Sequence, residues 1–261
     1  VRLLTEVQDI EQLQDGRYRV FCNTINVNGC VIGTRENICK HLFMGAGSIN
    51  TTKMLVKARE TGALPGLNGA IGENWGNNGN VHFMRDFVLE PTGGVQGSPP
   101  IFGALNAPDM PVATVENAQF PLGFDCFCLL HLSIALTEAR GRFEYDSATQ
   151  QVRLVWPQGN YEEGRNAARA MVDRLNDANG GILSRGIVSG LVDGFTYHPV
   201  GGASIGQACD DAGRVDGQPN LYVVDGALMP GSGGAVNPAL TIAALAERCL
   251  DILLVEQNFN T

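Results

Sequence analysis

The chain has 261 residues, 44% of them apolar and 17% charged, with a formal net charge of -9. That length can bury a full core as one large domain or two small ones, and the composition is ordinary for a globular protein. The negative balance argues against nucleic acid as a partner, no run of about eighteen uncharged apolar residues is present to cross a membrane as a helix, and Arg2 and Glu6 interrupt any leader-like run at the start.

In chain order, the N-terminal stretch reads as β-structure. Val1 to Val7 is a strand, Asp15-Gly16 a turn, Tyr18 to Cys22 a second strand, and Asn28-Gly29 a hairpin turn with strand residues on both sides. Cys39 to Met44 is a short apolar run that enters Gly45-Ala46-Gly47, and Ile49 to Thr61 is helical. Strand, glycine turn and helix suggest a dinucleotide fingerprint. The spacing is Gly45-x-Gly47-x-x-Asn50, however, with asparagine where the third glycine belongs, and no acidic residue closes a next parallel strand. Alone, this is a weak phosphate-loop signal.

Beyond Asn80 the pattern changes to alternating segments at 81–88, 114–119, 126–135, 141–145 and 151–156. A charged amphipathic helix follows at 161–179, with Ala168, Met171, Val172 and Leu175 on one face. Strands followed by a helix predict an α+β domain, an antiparallel sheet backed by helices, over 81–195. Residues 1–80 and 196–261 are then parts of a second, α/β domain.

The seven cysteines show no metal spacing, and no metal site is predicted. Cys126 and Cys128 would point to opposite faces of a strand. Cys249 reads as a small core residue. Cys22 and Cys30 flank the Asn28-Gly29 turn and could pair, although free buried thiols are the commoner outcome. The redox compartment stays open.

The most informative stretch is Tyr197-His198-Pro199-Val200-Gly201-Gly202, followed by Val224-Asp225-Gly226 and Val236-Asn237-Pro238. A glycine-lined loop carries one histidine, and further on an asparagine stands where a helix must begin. Asn237 is a good N-cap, Pro238 suits the first helical position, and Ala239 to Leu250 reads as a mostly apolar, buried helix. Such an N-terminus offers free N–H groups and partial positive charge to an anion.

These stretches, with Phe43-Met44-Gly45-Ala46-Gly47-Ser48, Lys53 to Pro65 and Trp75-Gly76-Asn77-Asn78-Gly79-Asn80, resemble the glucose-methanol-choline (GMC) flavin oxidoreductases. Within that family the likeness is closest to bacterial cholesterol oxidases. It runs from near Val1 to about Leu254 and is weakest between Asp86 and Ala113. The resemblance implies a Rossmann-like, GMC-type FAD-binding portion joined to the α+β substrate-binding domain. It also implies FAD as cofactor and a hydrophobic alcohol, such as a 3β-hydroxysteroid, as substrate, with dioxygen reduced to hydrogen peroxide. The family's glycine-rich fingerprint is not found in the chain. The expectation is therefore a C-terminal half, completed by a separate N-terminal chain after cleavage or from a split gene, or else an incomplete sequence.

By the same resemblance, His198 lies over the flavin and takes the substrate's hydroxyl proton. A loop histidine bonded to a backbone carbonyl is the plainer alternative. Asn237 pairs with that histidine near the substrate oxygen, and Glu116, aligned by Pro121 and Gly123, is the carboxylate facing the steroid rather than a surface glutamate. Asp225 and Gly226 meet the pyrophosphate and ribityl chain, Gly45 belongs to the turn under the cofactor, and the Val7 backbone reaches the adenine. Pro238 and Ala239 follow at the pyrimidine edge, where cholesterol oxidases often carry Phe. His41, His82 and His131 read as structural, and Asn77, Asn78 and Asn80 form a polar cluster without an assigned role. A GMC dehydrogenase using another electron acceptor, and a binding subunit that has lost FAD, are the competing readings.

Overall fold

Alternating residues in the N-terminal stretch fold into an antiparallel meander of β1 (Thr5–Gln12), β2 (Tyr18–Ile25) and β3 (Val31–Cys39). The computed structural model describes residues 1–86, 102–105, 111–117, 129–178, 187–192 and 196–257. Tyr18, Val20 and Cys22 alternate inward from β2. The Tyr18 hydroxyl donates to the Pro219 carbonyl at 2.6 Å, which satisfies the one polar atom of a fully buried ring. The first strand starts at Thr5 rather than Val1, because Leu4 has φ 52°, outside the extended range. At the second turn the Asn26 side chain accepts from the Asn28 and Cys30 amides, and Gly29 supplies φ 79°. Cys22 and Cys30 are both free, one inside the core and the other exposed at the turn. Cys126 and Cys128 lie outside the described residues.

β4 (Leu42–Met44) leads through Gly45–Gly47 into α1 (Ser48–Glu60). Next come β5 (Asn80–Asp86), β6 (Phe102–Leu105), β7 (Ala113–Asn117) and β8 (Leu129–Ala135), then the hairpin of β9 (Arg142–Asp146) and β10 (Gln151–Val155). α2 (Glu162–Ala178) and β11 (Ile187–Val192) follow. Five of these strands make one antiparallel sheet in the order β11-β5-β8-β7-β6. α2 lays Ala167, Ala168, Met171 and Val172 on Val81, Ala113, Val115 and Ala135, which share one face of that sheet. The antiparallel sheet with a covering helix is thus as the sequence predicts.

Side chains alternate across a sheet, so the register fixes what the opposite face carries. Asn80, His82, Thr114, Glu116, Leu132 and Ile134 are mutually paired positions there, and all are buried. Four of the six are polar. A covered sheet face this polar needs partners from whatever covers it.

The chain closes with β12 (Leu221–Val223), a 3-10 turn at Gly226–Leu228 and α3 (Ala239–Gln257). β12 runs parallel to β4, and Met44, Leu55, Val56, Leu221, Val223, Leu228 and Cys249 meet in the larger core. The described residues therefore form a two-stranded parallel sheet with α1, not a complete dinucleotide-binding fold. α3 also departs from expectation. Cys249 and Leu253 are buried, but Leu240 is 82%, Leu254 51% and Val255 83% exposed, since only one face of the helix meets the core. No described helix is long and apolar enough to cross a membrane.

Gly79 lies where β5 begins, at φ 64°, and a Cβ there would stand 2.0 Å from the Ala135 carbonyl oxygen. Gly79→Ala is expected to lower the unfolding free energy by more than about 2 kcal/mol through backbone strain and overpacking. Gly29→Ala, also at positive φ but with nothing within 4 Å, should cost only about 1 kcal/mol. Chemical unfolding of the two variants checks the difference, and equal losses would contradict it.

Candidate active site

His198 sits in a loop whose path is set by close backbone approach. Val200 and Gly76 exchange backbone hydrogen bonds of 2.8 and 3.1 Å. Gly201, at φ 84°, has no room for a side chain, because a Cβ would fall 2.2 Å from the Asn74 carbonyl oxygen. The loop then follows the 3-10 turn, with Gly201 N–H donating to Gly226 O at 2.9 Å. His198 is half-buried, and its backbone N–H donates to the Thr196 hydroxyl at 2.9 Å. Its Nδ1 is shut off from solvent with no hydrogen-bond partner among the described residues. Burial pushes the imidazole below its ordinary pKa of 6.5, so the ring is neutral near pH 7 and free to accept a proton.

Asn237 ends a second loop, beside the polar face of the five-stranded sheet. Thr114 of β7 donates its hydroxyl to the Ala235 carbonyl at 2.6 Å. Two residues along the same strand, Glu116 accepts a 2.6 Å hydrogen bond from the Asn237 side-chain amide. Glu116 is 6% exposed, so the reading of it as a surface glutamate does not hold. No direct hydrogen bond joins Asn237 to His198 among the described residues. The helix boundary also shifts by one residue: Ile242 N–H donates to Pro238 O at 2.8 Å, so Pro238 rather than Asn237 supplies the first helical acceptor. Pro238 is buried, whereas Ala239 and Leu240 are exposed, leaving the first turn of α3 open.

Between these loops lies the turn at Asn77–Asn80, a cluster without an assigned role in the sequence reading. Asn78, at φ 57°, donates to Val236 O at 2.9 Å and accepts from Gly233 N–H at 2.6 Å. Asn80 accepts from Tyr197 N–H at 3.1 Å, and Asn77 O accepts from the Thr196 hydroxyl at 2.9 Å. Both candidate loops therefore hang on one short turn. Thr114 and Thr196 were likewise unmarked in the sequence. The available signal was three asparagines within four positions, each with a donor and an acceptor for loop backbone.

The remaining candidates lie elsewhere. Asp225 caps the 3-10 turn by accepting from Ala227 N–H at 2.8 Å, and its other oxygen accepts from Gly47 N–H at 2.9 Å and the Thr51 hydroxyl at 2.5 Å. A carboxylate thus sits at the N-terminus of α1, where the helix dipole favours it. Gly226 is packed among Ile242, Pro199 and Ser48. Gly45 is exposed in its turn, and Val7 stands beside a bulge in β1. Among the described residues no group of three or more His, Cys, Asp and Glu is gathered to hold a metal ion.

Comparison with known proteins identifies the class. Two family models match, one described as GMC oxidoreductase, C-terminal, over residues 78–188, and one as GMC oxidoreductase over 137–246. The chain belongs to the GMC oxidoreductases, as a C-terminal part of that family's fold. Cholesterol oxidase of Acinetobacter baumannii is 46% identical over 65 residues, 23% of this chain and 11% of that protein. Cholesterol oxidase of Mycobacterium tuberculosis is 48% identical over 63 residues, 22% of this chain and again 11% of that protein. The structure also resembles pyridoxine 4-oxidase from Mesorbium loti, with a TM-score of 0.58 over 95% of this chain and 57% of that one. At 15% identity that likeness is one of fold.

His41, His82 and His198 are all held below the ordinary imidazole pKa by burial, His41 also by Lys40. Below pH 6.5 the unfolded chain therefore binds protons that the folded chain resists, so stability rises with pH through that window. The urea midpoint is expected to fall between about pH 7.5 and about pH 5.5. An unchanged or higher midpoint at the lower pH would contradict these burial effects.

Proposed function

We propose that this chain supplies the substrate side and the flavin-facing loops of an FAD-dependent alcohol oxidase acting on a hydrophobic alcohol of the 3β-hydroxysteroid class. The observation that carries the reading is the 2.6 Å contact between Asn237 and Glu116. It joins the loop before α3 to the buried face of the antiparallel sheet, while the asparagine turn holds the His198 loop to the same assembly. Family membership and the identity shared with cholesterol oxidases support the substrate class.

The residues present fit a flavin. α3 has 19 residues and an open first turn, so its free N–H groups can stabilise negative charge gathering on a ring placed against them. The half-buried imidazole has an unsatisfied nitrogen. Asp225 is engaged with α1 and the 3-10 turn, which leaves mainly backbone at Gly226 and Gly45 for the pyrophosphate side. The family's glycine fingerprint is not among these residues, and on this reading it comes from sequence outside them, as a separate N-terminal chain or otherwise. The parallel pair β4–β12 supports that view, since parallel sheets are ordinarily larger and covered on both faces.

Bound FAD would supply a hydride acceptor for the carbinol carbon and, once reduced, a two-electron donor to dioxygen, with hydrogen peroxide as the product. His198 takes the hydroxyl proton as the C–H bond breaks, a role that a neutral imidazole can fill at pH 7. Asn237 cannot act as a base, but it can polarise the oxygen, and its bond to Glu116 fixes how its amide is turned. Glu116, buried on the sheet face, can then carry a proton from C4 to C6 of a 5-ene-3-ketone, giving the conjugated enone without any net redox change.

Two experiments test this. With flavin still bound, His198→Ala should slow flavin reduction by alcohol about 10²- to 10⁴-fold and Asn237→Ala about 10²- to 10³-fold, as stopped-flow bleaching reports. Parental rates in both variants would sink the assignment. Glu116→Gln should retain most alcohol oxidation, read as peroxide, yet release the unconjugated ketone, which lacks the strong near-ultraviolet absorption of the enone. Enone formation at the parental rate would remove Glu116 from the mechanism.

A further inference from the structure

Asn78 and Asn80 stand out because each binds the residue immediately before a candidate catalytic side chain. Asn78 holds Val236, which precedes Asn237, and Asn80 holds Tyr197, which precedes His198. Both asparagines are 1% exposed, and both are tied at either end of the amide: Asn78 also accepts from Gly233 N–H, and Asn80 donates to the Asn78 carbonyl at 3.3 Å. The two clamps are thus linked through the Asn78 backbone. Gly76, two positions upstream, lies close against Gly231: an added Cβ would stand 2.0 Å from the Gly231 carbonyl oxygen.

We infer that Asn78 and Asn80 are positioning residues that set Asn237 and His198 relative to one another through a single rigid turn. This rests on the active-site reading above for its functional meaning, but the clamp itself is a statement about backbone geometry. Aspartate at position 78 keeps the acceptor for Gly233 and sets an oxygen against the Val236 carbonyl, so it frees the loop ahead of Asn237. Alanine at position 80 removes the acceptor for Tyr197, whereas aspartate there keeps it.

Hydrogen exchange on the flavin-loaded protein reads the clamps directly. In Asn78→Asp, which keeps the Gly233 bond, amides of 234–237 should exchange about tenfold faster, the worth of one hydrogen bond, with Gly233 and 196–200 unchanged. Asn80→Ala should reverse the pattern, and Asn80→Asp should leave the Tyr197 amide protected. In flavin reduction, Asn78→Asp should add little to Asn237→Ala yet multiply with His198→Ala, and Asn80→Ala should do the opposite. Equal loosening of both loops in every variant, or strictly multiplicative rates in all pairs, would overturn the proposal and leave the two asparagines as general core residues. Should His198→Ala and Asn237→Ala themselves reduce flavin at parental rates, the oxidase reading fails, and the exchange pattern alone still decides the positioning role. If Asn80→Ala does not fold, Asn78→Asp compared with Asn80→Asp makes the same decision, because only the former should loosen 234–237.

Discussion

A buried carboxylate must have a donor, and Glu116 finds it in the Asn237 amide. Removing a carboxylate from water without compensation costs several kcal/mol, so this bond constrains where the loop before α3 can lie. Thr114, on the same face of β7, adds a second tie at Ala235. Together they couple the five-stranded sheet to the start of α3. Without them Glu116 and Thr114 would lose these partners while still buried on the sheet face.

The same logic governs the other side of the site. The loops at 196–202 and 231–237 have no regular secondary structure to hold them, so backbone groups must be satisfied by neighbours. The asparagine turn does this for both loops, because an amide side chain can give and take a hydrogen bond at once. Glycines at 76, 79 and 201 let backbones approach closer than any side chain would permit, and Gly202 leaves room for the Thr52 side chain. Polar clamps and bare backbone thus replace the strands and helices that usually fix a site. His198 stays neutral near pH 7 as a consequence of the burial that this packing imposes.

Much of the fold was legible because it rests on period and turn chemistry. The meander, the turn at Asn28-Gly29, α1 and the apolar face of α2 follow from alternation, glycine placement and helical spacing. β6, β11 and β12 were not marked: β12 has three residues, β6 has four, and β11 carries a glycine among its six, so none offers a full alternating run. α3 was read as buried because apolar composition tells how much surface wants cover, not which neighbour provides it. Glu116, His198 and Asn237 came from resemblance, whereas the partners that hold them did not. Asn78 and Val236 are 158 positions apart, and the contact is to backbone, which leaves no trace in residue type.

A crystal structure of the flavin-loaded protein is the most direct test of the central claim, that one assembly of His198, Asn237 and Glu116 receives the flavin and the alcohol. The account predicts the flavin ring against the open first turn of α3, bordered by the His198 loop, with the Asn237–Glu116 bond retained. A flavin bound elsewhere, or a Glu116 side chain turned to solvent while flavin is present, would contradict it.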